Sequence, residues 1–149
     1  MARGYLVLED GTVYEGRLFG SDKRTEGEVV FATGMCGYQE SLTDPSYEGQ
    51  TLVMTYPLIG NYGINSRFDQ SSSVHVRGLV VRELCDEPSP MYGGRTLDDF
   101  MKENDVPGIS GIDTRDLVIR IRTGGTVKGA ITADGSDLDG VAERLRAMP

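Results

Sequence analysis

The most reactive side chains of this 149-residue chain are Cys36 and its one histidine, His75. A cysteine attacks as thiolate, so at neutral pH it needs an adjacent base or a lowered pKa. Cys36 with His75 is the pair that could supply this. The surrounding Gly34-Met35-Cys36-Gly37 does not make a nucleophile elbow of the form G-x-C-x-G, because position 38 is Tyr. Cysteine also packs well as a small buried residue. The packing reading is favoured, and His75 reads as a hydrogen-bonded structural histidine. Two cysteines and one histidine match no zinc spacing. The acidic run from Asp134 to Gly140 fails the calcium-loop register and is better explained as a helix cap.

Ser46 is different in kind. It follows Pro45 in the rigid turn Asp44-Pro45-Ser46-Tyr47, which presents a hydroxyl that can both donate and accept at low entropic cost. From the residues alone, an ordinary proline turn is the favoured reading. This turn lies in a long glycine- and hydroxyl-rich stretch from Gly34 to Asn61. Most connections between elements are only about 4–6 residues, and longer ones usually bind or dock something. Gly93-Gly94-Arg95 could touch an anion, but a flexible turn is favoured. Arg115, Arg120 and Arg122 could form a docking face or the solvated side of a helix, and the latter is favoured. No Walker A or dinucleotide-binding glycine motif is present.

The elements that must position these residues follow from pattern and punctuation. Residues 4–9 and 12–19 flank Asp10-Gly11, a hairpin signal that predicts a type I′ turn. Residues 26–32 and 50–55 read as strands, 57–70 as loop, and 73–84 as the longest strand, with Gly78 marking a bulge or close approach. In that strand Val74 and Val76 alternate with His75 and Arg77. Residues 37–44 read as one or two helical turns, and 85–95 as loop. Thr96-Leu97-Asp98-Asp99 resembles a capping box for a helix that presents Leu97, Phe100 and Met101 on one face. A strand over 107–111 leads to a helix opened by Asp113-Thr114-Arg115-Asp116. Leu117, Val118 and Ile121 face inward, and Gly124-Gly125 ends it. A strand over 126–132 and a helix capped by Ser136-Asp137-Leu138-Asp139 complete the chain. The expected fold class is mixed α/β: one domain over 1–149, strand-rich in its first half and strand–helix alternating in its second, a β-rich layer joined to a small α/β layer.

A net charge of −8 argues against nucleic-acid binding, which leaves a basic footprint. Two cysteines and no apolar N-terminal run argue against a secreted disulfide scaffold. No apolar stretch approaches the ~20 residues a membrane-spanning helix needs. A cytoplasmic protein with no membrane partner is expected.

Several blocks are familiar together and in order: L-V-L-E-D-G-T at 6–12, G-E-V-V-F at 27–31, G-Y-Q-E-S-L-T-D-P-S-Y at 37–47, T-Y-P-L-I-G-N-Y-G at 55–63, V-R-G-L-V-V-R-E-L at 76–84 and G-I-D-T-R-D-L at 111–117. They closely resemble the N-terminal domain of the small, glutamine-hydrolysing subunit of carbamoyl-phosphate synthetase. The resemblance implies a swivelling β/β/α fold that helps dock the small subunit on a large one. It implies a C-terminal class I glutaminase domain with a cysteine nucleophile and a His–Glu pair. Ammonia released from glutamine would pass to the large subunit, which uses ATP, Mg and bicarbonate to make carbamoyl phosphate for arginine and pyrimidine synthesis. The family's glutamine contact carries over to Ser46. The chain stops at Arg146-Ala147-Met148-Pro149, about where a linker to the glutaminase domain is expected. Read this way, it holds no catalytic residue, cofactor or metal, and hydrolyses no glutamine alone. The alternatives are a free-standing binding module for a small molecule or protein, and an autonomous Cys36/His75 hydrolase.

Overall fold

A computed structural model describes residues 3–32, 49–54, 58–59, 76–84, 101–124, 127–133 and 135–148. Cys36, Ser46 and His75 lie outside these residues, as do the helical turns expected over 37–44, the loop over 85–95 and the capping box at Thr96.

The apolar run of β1 (Arg3–Leu8) and the alternately exposed β2 (Val13–Gly20) form an antiparallel hairpin with Tyr5 opposite Glu15. Its turn is not type I′, which needs positive φ at both central residues. Only Gly11 takes a left-handed conformation, at φ 92°. The Gly11 amide donates to the Leu8 carbonyl, and the Asp10 carboxylate accepts from the Thr12 amide. The Asp10 side chain thus builds a local turn, leaving positive φ to glycine alone.

β3 (Thr25–Ala32), β4 (Thr51–Met54), β6 (Gly78–Val80) and β8 (Pro107–Ser110) lie side by side and parallel. β9 (Val127–Thr132) runs antiparallel between β3 and β1. The spatial order β1-β2-β8-β6-β4-β3-β9 closes into a barrel, so this sheet has no free edge. Every residue of β4, β6 and β8 is buried, as parallel strands covered on both faces should be. β2 instead alternates with solvent along most of its length. β5 (Leu58–Ile59) and β7 (Glu83–Leu84) form a separate two-stranded parallel sheet.

Of the long strand expected over 73–84, the described part, 76–84, holds two short strands in different sheets. Gly78 is crowded by side chains rather than by a neighbouring backbone: a Cβ there would sit 3.1 Å from both Ile131 and Thr25 side chains. Two residues expected as loop, Leu58 and Ile59, are strand. The second-half strands β8 and β9 complete the same barrel as the first-half strands rather than building a layer of their own.

The barrel interior holds Leu6, Leu8, Val29, Val53, Val80, Ile109 and Ile131, packed with Leu117, Val118 and Ile121 of α1 (Thr114–Gly124). Asp113 caps α1 by accepting from the Asp116 amide. α2 (Leu138–Ala147) covers the outer face, where Val141, Ala142 and Leu145 bury Val7 and Ala130. Its cap is Asp137, one residue later than a Ser136 cap would place it. Among the described residues no helix is long and apolar enough to cross a membrane.

Candidate functional site

The two ends of the barrel differ. At the C-terminal end of β8, α1 is tied to the β1–β2 hairpin by a polar network. Tyr14 donates its phenol proton to Asp116 Oδ2 at 2.6 Å, and Arg120 Nε donates to the same oxygen at 3.2 Å. Arg120 also reaches Thr12 Oγ1 at 3.4 Å and lies 3.9 Å from Asp10 Oδ2. Burial first, and then the Asp116 hydrogen bond and charge, push the Tyr14 phenol well above its ordinary pKa. The Tyr14 hydrogen bond, then Arg120, hold Asp116 below the usual carboxylate range. A phenol so raised stays protonated at neutral pH, and its proton is already committed. This network joins elements and is not poised for acid–base catalysis. Arg122 is placed separately, 5.3 Å from the centroid of the Phe31 ring. Arg120 and Arg122 thus serve different local contacts, which accords with a helix surface rather than one docking face.

The opposite end carries an open cleft of about 660 Å³, reached by the N-terminal ends of β3, β4, β6 and β8. Lys23, Arg24 and Arg77 bring three cations to its wall, and Glu26 and Asp105 bring two carboxylates. Each carboxylate is engaged. Glu26 Oε1 pairs with Arg24 at 3.0 Å and Arg144 at 3.3 Å. Asp105 accepts from Ser21 Oγ at 2.7 Å and lies 3.5 Å from Lys23. The Ser21 hydrogen bond, then the Lys23 charge, lower the Asp105 pKa. Asp105 is held at φ 57° where the short helical segment at 101–103 ends, the left-handed position that closes many helices. Arg77 donates from Nη1 to the Glu26 carbonyl at 3.0 Å.

Pattern reading identified neither group. The segment Ser21 to Thr25 reads only as a charged turn, and Arg77 only as the polar face of a strand. Nothing in local periodicity says that the starts of four parallel strands converge. Of the site residues named from sequence, Ser46, Cys36 and His75 lie outside the described residues. Among the described residues no cluster of three metal-ligating side chains occurs.

The family model for the carbamoyl-phosphate synthase small chain, CPSase domain, matches residues 6–131. The chain belongs to this family. The match begins on β1 and ends on β9, so it takes in the strands that close the barrel. Among curated relatives, the carbamoyl phosphate synthase small chain of Bacillus caldolyticus is 56% identical over 96% of this chain and 39% of its own length. That of Caldanaerobacter subterraneus is 53% identical over 91% of this chain and 38% of its own. The pyrimidine-specific small chain of Bacillus subtilis is 51% identical over 94% and 38%. The chain thus spans about two fifths of the length of these relatives.

Proposed function

We propose that this chain is the N-terminal structural and docking domain of a glutamine-hydrolysing carbamoyl-phosphate synthase small subunit. The observation that carries this reading is the extent of the likeness: 56% identity over 96% of the chain, yet only 39% of the relative. On this reading residues 1–149 form one domain of the swivelling β/β/α type. Glutamine hydrolysis is performed by a C-terminal glutaminase domain, and the ammonia serves a large subunit that binds ATP and Mg. The protein acts in the cytoplasm, in carbamoyl phosphate supply for arginine and pyrimidine synthesis.

The domain's contribution is rigidity and one ligand contact. A closed barrel with α1 packed into one end offers a stiff platform, and sites held on rigid elements are positioned more precisely than those on free loops. Ser46 is the proposed glutamine contact. Cys36 and His75 play no catalytic part in this reading.

Mixing the chain with a carbamoyl-phosphate synthase large subunit and following co-elution by size exclusion tests the docking role. A stable complex is expected, together with no ammonia release from glutamine by the chain alone. Absence of a complex would favour a free-standing binding module. Ammonia release abolished by Cys36→Ser would overturn the proposal in favour of an autonomous hydrolase.

A further inference from the structure

We propose that the cleft at the N-terminal ends of the parallel strands binds a small-molecule oxyanion, phosphoryl or carboxylate. Its volume of about 660 Å³ lies within the roughly 300–1,000 Å³ of small-molecule pockets. Three further observations point to a ligand.

The first is charge. Lys23, Arg24 and Arg77 line the cleft of a chain whose net charge is −8. The two carboxylates beside them do not neutralise this wall. Glu26 is shared between Arg24 and an additional cation, Arg144, while Asp105 is engaged by Ser21 and Lys23. Among the described residues, Arg77 pairs with no carboxylate. Its one described side-chain hydrogen bond goes to a neutral carbonyl, that of Glu26.

The second is the seat of that arginine. Its Nη2 lies 3.9 Å from where a Cβ on Gly49 would stand, and Gly49 has φ 75°. Its Nη1 lies 4.0 Å from the corresponding point on Gly27. The guanidinium thus lies within ordinary contact distance of both glycine positions, anchored through Nη1 by the Glu26 carbonyl. A guanidinium carries five N–H donors in a fixed fork suited to oxyanions. One of them is used on Glu26.

The third is an unsatisfied hydroxyl. Thr25 lines the cleft at 4% exposure, and among the described residues its Oγ1, like that of Thr51 outside the cleft lining, has no hydrogen-bond partner. Buried hydroxyls are ordinarily paired, and leaving one unpaired costs free energy. A ligand oxygen seated against Thr25 would satisfy it. The arrangement suits an anion and not a cation, because both wall carboxylates are already committed.

Isothermal titration of the chain at low ionic strength with inorganic phosphate, and separately with succinate, tests the proposal. Saturable binding is expected for at least one probe, and the probe that binds assigns the phosphoryl or the carboxylate class. Arg77→Gln and Thr25→Val should each weaken it roughly 10- to 150-fold, because each removes a hydrogen bond to a charged group. Thr25→Val should also raise the melting temperature of the unliganded protein, because it deletes an unpaired hydroxyl and keeps the shape. Arg115→Gln, on α1 at the other end of the barrel, should change nothing. If Arg77→Gln does not fold, Lys23→Gln serves in its place. No saturable binding of either probe would overturn the proposal. So would equal weakening by Arg115→Gln, or binding left intact by Thr25→Val.

Discussion

Tyr14 and Asp116 stand 102 positions apart and share a 2.6 Å hydrogen bond. It links the first hairpin to the helix that packs into the barrel, so it spans the closure of the fold. Arg120 completes the arrangement by bonding the same carboxylate oxygen. The helix packs its apolar face on the barrel interior and its polar face on the hairpin tip, where Thr12 and Asp10 meet the guanidinium.

Tyr14→Phe should destabilise the protein, and the loss should depend on pH. Asp116 is depressed in the folded state, so its contribution is present above the ordinary carboxylate pKa near ~4 and is lost as pH falls below it. Tyr14 is raised, so its contribution is present below the ordinary phenol pKa near ~10 and fades as pH climbs past it. The stability difference between the parental protein and the Tyr14→Phe variant should therefore be flat near neutrality and shrink at both extremes. Urea melts across the pH range check this, and a pH-independent difference would contradict it.

Leu117→Ala should cost about 2–5 kcal/mol, the range for removing a large buried aliphatic side chain. Leu117 is fully buried in the cluster that joins α1 to the barrel interior. Chemical denaturation followed by circular dichroism measures the change. Ile119→Ala, on the same helix with 56% exposure, should cost far less, which separates packing from helix propensity.

Much of the fold was legible because the signals were local. The inward set Leu117, Val118 and Ile121 follows from helical spacing, and the Asp113 cap from the acidic residue three positions later. The buried strand at Thr51–Met54 follows from an apolar β-branched run. What periodicity could not supply was pairing. The stretch from Val76 through Leu84 reads as one strand interrupted by Gly78, but Gly78–Val80 joins the barrel and Glu83–Leu84 a different sheet. The hairpin turn departs from type I′ because Asp-Gly suits two geometries, and the Asp10 carboxylate selects the one that needs a single positive φ. The cleft was invisible for the same reason as the barrel: it depends on which strand ends meet.

Two glycines on the first hairpin should respond very differently to alanine. Gly11 has nothing within 4 Å of its missing Cβ but sits at φ 92°, so Gly11→Ala should cost about 1–2 kcal/mol of backbone strain. At Gly16 the added Cβ would fall 2.2 Å from the Ser110 carbonyl oxygen and 2.9 Å from Ile112. The obstacle is backbone of the neighbouring strand β8, which cannot turn aside as a side chain can. Gly16→Ala should therefore open the β2–β8 pairing and lose several times more stability than Gly11→Ala. Amide hydrogen exchange at Ile109 and Ser110 reports the local opening.

Ser46→Ala, in a complete carbamoyl-phosphate synthase, tests the proposed glutamine contact. Removing a contact with bound glutamine that is equally strong in the ground and transition states raises KM and leaves kcat unchanged. Losing one hydrogen bond of about 0.5–1.5 kcal/mol corresponds to roughly a 2- to 12-fold rise in the glutamine KM. Synthesis driven by free ammonia bypasses glutamine and should proceed at the parental rate. That second assay separates a ligand contact from a fold defect, because a damaged domain would lower both activities. An unchanged glutamine KM would remove Ser46 from the site, and the Asp44-Pro45-Ser46-Tyr47 turn would then be an ordinary turn.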